Sequence, residues 1–280
     1  MTASVSEKVA RYRALHGGPV FVAGGCWDAG TARLLAHAGF ACLETSSAGV
    51  MFARGLPDGD GLATRKIMLE NARTVAAAVD VPVSADLENG WAPTAAGVAE
   101  TIRLAGASGI VGGSIEDTTG DRADPIFPLE IAVERVRAAV EAARALPFPF
   151  AVTARADQYM HGRGVLSEVI ARAQGFQAAG ADFFLAPGMG DPAEFAALCR
   201  SVDIPVAAIA GLGGFHPPLA EYGRLGVRRV IVGSAFARVA MSGVLAAARE
   251  VVESGTFGFA EGLMPFGELN GLFRTLGGKA

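Results

Sequence analysis

The chain has 280 residues, 51% of them hydrophobic, with 37 glycines, a formal net charge of −4 at pH 7 and a pI of about 5.6. An acidic chain without a basic block lacks the electrostatic footprint of nucleic-acid-binding proteins, and no segment has the roughly 18 uninterrupted apolar residues of a membrane span. We therefore expect neither nucleic acid nor membrane as a partner. Three cysteines without metal-ligand spacing indicate reduced thiols and a cytoplasmic protein.

Short apolar runs alternate with helical stretches along the whole chain. Apolar residues recur at three- and four-residue spacing in the helical stretches, as in Ile131, Val133, Val136 and Val140. The apolar runs are typical of parallel strands that are covered on both faces. Eight of them are strand predictions: 20–25, 41–46, 82–87, 109–115, 149–155, 182–186, 205–210 and 229–233. Eight alternating units predict one domain over residues 1–280, a (β/α)8 TIM-type barrel at about 18–254.

The junctions between helices and strands repeat as well. Proline stands at two predicted strand entries, where its missing amide removes no ladder hydrogen bond. Glycine can adopt the left-handed conformation that closes a helix. These junction residues are Pro82 and Pro205 at strand entries, and Gly39, Gly106, Gly180 and Gly226 at helix ends.

A doubly wound open sheet is the rival architecture for alternating strands and helices. It usually carries a glycine-rich dinucleotide loop after its first strand, and Ala23-Gly24-Gly25-Cys26-Trp27-Asp28 lacks that spacing. Residues 255–280 lie beyond the eighth unit and contain apolar residues that a completed barrel does not need: Phe257, Phe259, Leu269, Leu272 and Phe273. We predict an extra C-terminal helical segment that packs on, or is swapped with, a neighbouring subunit.

Charged residues gather where the predicted strands end. They are Glu44, Asp86, Glu88, Glu116, Asp117, Arg155 and Asp157. The carboxyl ends of the strands form the active-site face of this fold. Converging buried carboxylates need a cation, and an oxygen-only set without His or Cys suits Mg2+ or Mn2+. Salt bridges to barrel arginines are the alternative explanation.

Two further features at this face suit an organic anion. Arg155 has a planar guanidinium that can bind a carboxylate with two hydrogen bonds, although a structural ion pair with Asp157 or Glu116 is the alternative. Thr45, Ser46, Ser47 and Ala48 follow the second strand with small side chains that let backbone amides and hydroxyls surround an anion. No lysine lies at a strand end, which argues against a Schiff-base mechanism.

Taken together, these residues resemble the isocitrate lyase and phosphoenolpyruvate mutase superfamily. The resemblance spans most of residues 20–240, and its motifs occur in order. They are Trp27-Asp28-Ala29, Thr45-Ser46-Ser47-Ala48, Leu56-Pro57-Asp58, Ala85-Asp86-Leu87-Glu88-Asn89-Gly90, Ser114-Ile115-Glu116-Asp117, Thr153-Ala154-Arg155-Ala156-Asp157, and Arg172-Ala173-Gln174 before Ala179-Gly180-Ala181-Asp182.

The resemblance implies a role for each site residue. Asp86 is then the direct Mg2+ ligand, and Asp58, Glu88 and Glu116 hold the metal's waters. The substrate is a small 2-oxo or 2-hydroxy carboxylate, bound by Asp86, Arg155 and the segment of Thr45, Ser46, Ser47 and Ala48. Asp58, Glu116 and Arg155 are the expected catalytic residues, and a homotetramer, a dimer of dimers, is the expected assembly.

One loop departs from the superfamily pattern. The lyases carry a Lys-Lys/Arg-Cys-Gly-His loop after the Glu-Asp pair, with the Cys as proton donor. Here the loop reads Thr118-Thr119-Gly120-Asp121-Arg122-Ala123-Asp124-Pro125, which has no thiol, lysine or imidazole. This departure leaves the identity of the substrate open. Asp121 or Arg122 could replace the donor, and a solvated turn is the alternative.

Three functional hypotheses follow from the sequence. The first is a Mg2+-dependent lyase that cleaves a C–C or C–P bond beside the carboxylate of a 2-oxo or 2-hydroxy acid, through an enolate-like intermediate. The second is a barrel enzyme for a phosphorylated metabolite, with 210–214 and 232–235 as a phosphate cradle. The third is a metal-dependent 2-oxo acid binding protein with little turnover.

Overall fold

The protein forms a closed barrel of eight parallel strands, in chain order, with the first strand paired to the eighth. This computed structural model describes residues 3–212 and 215–277. The strands are β1 Phe21–Cys26, β2 Cys42–Thr45, β3 Val83–Asp86, β4 Gly112–Glu116, β5 Ala151–Arg155, β6 Phe183–Leu185, β7 Val206–Ile209 and β8 Arg229–Ile231. The predicted (β/α)8 barrel is confirmed, and each predicted run contains or overlaps its strand.

Helices surround the barrel, and several begin at a residue whose side chain accepts a hydrogen bond from a backbone amide of the first turn. Asp28, Thr64, Thr94 and Asp191 are such N-caps. The helices are α1 Val5–Gly17, α2 Ala29–His37, α3 Ser47–Ala53, α4 Arg65–Ala78, α5 Ala95–Gly106, α6 Leu129–Arg144, α7 Leu166–Ala178, α8 Pro192–Arg200, α9 Leu219–Arg224, α10 Ala235–Ser254 and α11 Phe266–Leu276, with a 3-10 turn at Gly258–Gly262.

The junction residues behave as predicted except at one glycine. Gly39, Gly180 and Gly226 have φ of 99°, 95° and 97°, the left-handed region that favours glycine. Gly106 instead is the last residue of α5, and the left-handed glycine of that junction is Gly109. A Cβ on Gly106 would lie 2.7 Å from the side chain of Leu146, so glycine there permits close packing.

The helix α1 closes the amino-terminal end of the barrel. Its Val9 and Tyr12 are buried in a cluster with strand residues that point into the barrel. Arg229, at the start of β8, is 1% exposed and donates to the Tyr12 hydroxyl and, at 3.1 Å, to Thr153 Oγ1. A charged group thus lies inside the barrel, between α1 and the active-site face.

The C-terminal elements carry the most exposed apolar residues of the structure. On α10 the side chains of Val239, Val244 and Val252 are exposed, and Phe266 at the start of α11 is 84% exposed. The extra helical segment predicted after the barrel is present through Gly277, and residues 278–280 lie outside the described part. In that part of the chain, every helix is too short or too polar to cross a membrane.

Candidate active site

A cavity of about 330 Å3 lies where the strands β3 to β5 end. Strand register places Asp86 of β3 beside Ser114, and pairs Glu116 of β4 with Arg155 of β5, so the last residues of three strands meet at one rim. The residues of the cavity wall that bear on chemistry are Ser47, Asp58, Glu88, Asn89, Glu116, Thr118, Asp121, Arg122, Arg155, Asp157 and His161. Glu88, Glu116, Arg155 and Asp157 of the predicted cluster are therefore brought together, and Asp86 lies directly behind this wall, 3.6 Å from Arg155 NH1.

Arg155 is the central cation of this cluster. Its Nε and NH2 donate to the two carboxylate oxygens of Asp157 at 2.6 and 2.7 Å. Its NH1 lies 3.1 Å from Glu116 and 3.6 Å from Asp86. Burial alone lowers the pKa of Arg155, but Asp157, Glu116 and Asp86 together raise it above its ordinary value. The ion pair left open by the sequence is present, and it fixes the guanidinium at the cavity wall.

Glu88 lies in a loop whose backbone is unusual. Glu88, Gly90 and Trp91 have φ of 45°, 76° and 50°, so two non-glycine residues occupy the left-handed region. The Glu88 amide donates to Asp86 Oδ1 at 3.2 Å, and the Trp91 indole nitrogen donates to Glu88 Oε2 at 3.0 Å. Asn89 Oδ1 accepts from the Trp91 amide. These bonds hold both carboxylates in fixed positions.

The segment after β2 contributes less than the sequence suggested. Ser47 lines the cavity, and its hydroxyl donates to Asp86 Oδ2 at 2.9 Å. The Ser46 hydroxyl is occupied as the N-cap of α3, where it accepts from the amide of Gly49. Thr45 and Ala48 are not among the residues that line the cavity. Of these four, Ser47 is the one whose side chain the structure places on the wall.

The carboxylates on the cavity wall carry more negative charge than the neighbouring cations neutralise. Burial, followed by the charges of Asp86 and Asp58, raises the pKa of Glu88 to about 8. Burial also raises the pKa of Asp58 and of Glu116. Across residues 3–212 and 215–277, neither Asp58 nor Glu88 makes an ion pair within 4.0 Å. A bound cation would relieve this repulsion, so these oxygen donors fit a hard divalent ion.

The arrangement fits an ion held partly through water. Among the described residues, no three His, Cys, Asp or Glu side chains are placed to coordinate one ion together. Mg2+ commonly keeps several waters and takes one or two carboxylates directly. One direct ligand with three carboxylates that hold waters is therefore compatible with this geometry, and a site of three direct protein ligands is not.

Two residues grouped with the cluster have other partners. Glu44 is buried, accepts from the Ser84 hydroxyl at 2.9 Å and lies 3.7 Å from Arg229 inside the barrel. Asp117 accepts from the amide of Asp157 at 2.8 Å and from Arg172 NH1 at 3.0 Å. Neither lines the cavity. Glu44 neutralises the interior arginine, and Asp117 anchors the strand end that carries Arg155.

The sequence did not identify several polar residues of the wall. Thr118 donates to Glu116 Oε1 at 2.6 Å, and Asn89 Nδ2 donates to the backbone oxygen of Thr118. The position of Thr118, two residues after Glu116, was the available signal for the first contact. His161, for which no role was predicted, also lines the cavity.

Two residues of the predicted phosphate cradle, Gly213 and Gly214, lie outside the described residues. In the remainder, the backbone oxygen of Gly211 accepts from Arg238 at 2.9 Å. Ser234 precedes α10 without a side-chain cap hydrogen bond. None of the described cradle residues lines the acidic cavity.

A comparison with known protein families identifies the family to which this barrel belongs. The family model for phosphoenolpyruvate phosphomutase matches residues 12–252. The chain belongs to this family. Its superfamily, which includes isocitrate lyases, consists of lyases, mutases and decarboxylases, so the predicted recognition and the prediction of an enzyme of this superfamily are confirmed.

Three relatives illustrate the range of the phosphoenolpyruvate phosphomutase family. A crystal structure from Burkholderia cenocepacia J2315, described as a candidate lyase/mutase, is 48% identical with a TM-score of 0.93 and 96% coverage of both chains. The oxaloacetate decarboxylase of Pseudomonas putida (strain GB-1) is 29% identical over 79% of this chain and 76% of its own. An oxaloacetate acetylhydrolase bound to its product oxalate is 25% identical with a TM-score of 0.86, over 98% of this chain and 95% of that one.

Proposed function

We propose that this protein is a Mg2+-dependent lyase that cleaves a C–C bond at the carbon next to the 2-oxo or 2-hydroxy carbon of small carboxylic acids. The observation that carries the proposal is the convergence of four carboxylates, Asp58, Asp86, Glu88 and Glu116, with the guanidinium of Arg155 among them. Relatives named as acting on oxaloacetate support this class of substrate.

Each residue of the cluster has a proposed task. Asp86 would hold Mg2+ directly, and Asp58, Glu88 and Glu116 would hold its waters. Bound Mg2+ would supply a divalent positive charge to the 2-oxo oxygen, which takes up negative charge when a bond at the neighbouring carbon breaks. Mn2+ would serve the same purpose.

The substrate carboxylate would lie between Arg155 and the start of α3. Arg155 is already fixed by Asp157, so its position costs no further ordering when the substrate arrives. Ser47 would orient Asp86 through their 2.9 Å hydrogen bond, and the backbone of Thr45, Ser46 and Ala48 would shape the pocket around the carboxylate. Glu116, held by Thr118 and Arg155, would keep a water of the metal in a fixed position beside the substrate.

The test is calorimetric titration of oxaloacetate, pyruvate, 2-oxoglutarate and isocitrate with and without Mg2+, followed by product analysis by NMR. We expect metal-dependent binding and turnover of at least one acid. Metal-dependent binding without turnover would favour the binding-protein hypothesis, whereas binding that ignores Mg2+ would rule out both.

The variant Asp86→Ala tests the metal ligand itself. We expect it to abolish metal-dependent binding, because the direct ligand is lost, while thermal unfolding stays cooperative. Glu141→Gln, which removes an exposed carboxylate from α6, is the matched control and should bind as the unmodified protein does. Unchanged affinity in Asp86→Ala would refute the assignment of Asp86.

A further inference from the structure

A short hairpin crosses the mouth of the cavity between β4 and α6. Thr118 and Ile126 form an isolated antiparallel bridge, and the amide of Thr119 donates to the backbone oxygen of Pro125 at 2.8 Å. Residues 121–123 are the tip of this hairpin. Its backbone is thus internally bonded, so the hairpin tip has a defined position beside the cavity.

The hairpin tip is held from both sides of the mouth. Arg163, after β5, donates to the backbone oxygen of Ala123 at 3.3 Å and lies 3.4 Å from Asp124. On the other side, Arg122 is hydrogen-bonded to Asp60, which lies two residues after Asp58 in the loop between α3 and α4. Asp121 and Arg122 both line the cavity. The tip therefore lies between these two loops, with Asp121 and Arg122 at the edge of the cavity.

The two arginines of the cavity wall differ in how firmly they are occupied. Arg155 is buried and bonded to Asp157 and Glu116. The Arg122 side chain is 84% exposed, and its ion pair with Asp60 is at the surface, where such pairs are weak and exchange readily. Arg122 can therefore leave Asp60 for another carboxylate. Arg155 is held more firmly, because its departure would leave the carboxylates of Asp157 and Glu116 without a partner.

A cavity with a metal-binding floor and an exchangeable guanidinium at its mouth suits a ligand with an anionic group at each end. We infer that Arg122 recognises a second carboxylate of the substrate, so that the preferred substrates are dicarboxylates rather than monocarboxylates. This inference rests on the proposed function of the site. The planar guanidinium binds a carboxylate with two parallel hydrogen bonds, and the substrate replaces Asp60 as its partner.

Matched pairs of ligands test this role with Mg2+ present. 2-Oxoglutarate and 2-oxovalerate share a five-carbon chain and differ in the terminal carboxylate, as do oxaloacetate and 2-oxobutyrate at four carbons. We expect Arg122→Gln to weaken binding of both dicarboxylates about tenfold or more and of the monocarboxylates less than twofold. Arg122→Lys, which keeps the charge without the planar fork, should fall between.

Two further variants serve as controls. Arg137→Gln removes an exposed arginine from α6 and should leave all four affinities unchanged. Asp60→Asn removes the competing carboxylate and should keep the preference for dicarboxylates. Equal losses for both ligand types in Arg122→Gln, or no loss, would overturn the role of Arg122. If the protein prefers dicarboxylates equally well with and without Mg2+, the proposed function is refuted and the role of Arg122 is not. If it binds none of the four acids, the proposed function and the role of Arg122 are both overturned.

Discussion

At the scale of single residues, His16 shows how burial at the closed end of the barrel affects a titratable group. It lies on α1, is 8% exposed, and stacks on Phe183 with 3.8 Å between ring centroids. Its Nδ1 lies 2.9 Å from the backbone oxygen of Tyr12, whereas Nε2 is buried without a partner among the described residues. Burial, followed by the charge of Arg229, lowers the pKa of His16 to about 3.

This lowered pKa predicts a loss of stability in acid. Between pH 6.5 and 3 the unfolded chain binds a proton at His16 that the folded chain does not, so the stability contribution is complete above pH 6.5 and falls as the pH drops. From pH 7 to pH 5 we expect the unmodified protein to lose about 2 kcal/mol more unfolding free energy than His16→Phe, which keeps the aromatic stack. Denaturant unfolding at the two pH values measures the difference.

His37→Phe is the control for this experiment, because it removes an exposed imidazole from α2. It should lose as much stability in acid as the unmodified protein. An equal acid response in His16→Phe would show that the acid sensitivity arises elsewhere.

Residues differ in how far the sequence could assign them. Asp86, Glu116 and Arg155 end apolar strands, and a parallel barrel brings all strand ends to one face, so their meeting was predictable. Glu44 also follows apolar residues, but its side chain pairs with Arg229 inside the barrel. The partner comes from β8, 185 positions later by the difference of the two residue numbers, and no local pattern encodes such a contact.

At the scale of elements, the loop between β3 and α5 unites several features of the site. It contains the left-handed Glu88 and Trp91, and the backbone oxygen of Gly90 accepts from Thr101 Oγ1 at 2.6 Å and from Arg65. The buried guanidinium of Arg135 donates to the backbone oxygens of Asn89 and Ala92. Neighbouring helices thus hold the strained backbone in place.

Trp91→Phe tests whether this loop positions Glu88. The substitution keeps an aromatic ring but removes the indole N–H that donates to Glu88 Oε2 at 3.0 Å. Loss of such a supporting bond typically weakens metal binding about 10- to 100-fold, so we expect Mg2+ affinity to fall by about tenfold or more with the fold intact. Calorimetric Mg2+ titration measures the change, and Phe148→Leu, at a partly buried position before β5 and outside the loop, is the control. Equal Mg2+ affinity in both variants would contradict a positioning role for Trp91.

The elements themselves were more predictable than their ends. Apolar runs and helical spacing located every strand, because both periodicities are local properties of the chain. The end of α5 was placed correctly at Gly106, but the left-handed conformation was wrongly expected there, since a glycine can serve tight packing against Leu146 as well as a left-handed turn. Tertiary contact, which the local sequence does not contain, decides between these two uses.

At the scale of the whole molecule, the C-terminal elements leave an apolar surface uncovered. Side chains of Val239, Val244 and Leu245 on α10 are exposed, together with Phe257 and Phe266 beyond it. Exposed apolar groups of this number on one segment are typical of a subunit interface. The sequence predicted the same role for neighbouring apolar residues of the C-terminal segment, Phe257, Phe259, Leu269, Leu272 and Phe273, because a completed barrel has no core position left for them.

Phe266→Asp tests the expected homotetramer. Phe266 is 84% exposed at the first turn of α11, so the substitution removes little packing within one chain. Within an interface, it would bury a charge without a partner, which is strongly destabilising. We expect a smaller assembly than the tetramer by light scattering or sedimentation, with circular dichroism unchanged. Phe266→Leu keeps an apolar side chain and should retain the mass of the unmodified protein. A tetramer that persists in Phe266→Asp would place the subunit contacts elsewhere on the barrel.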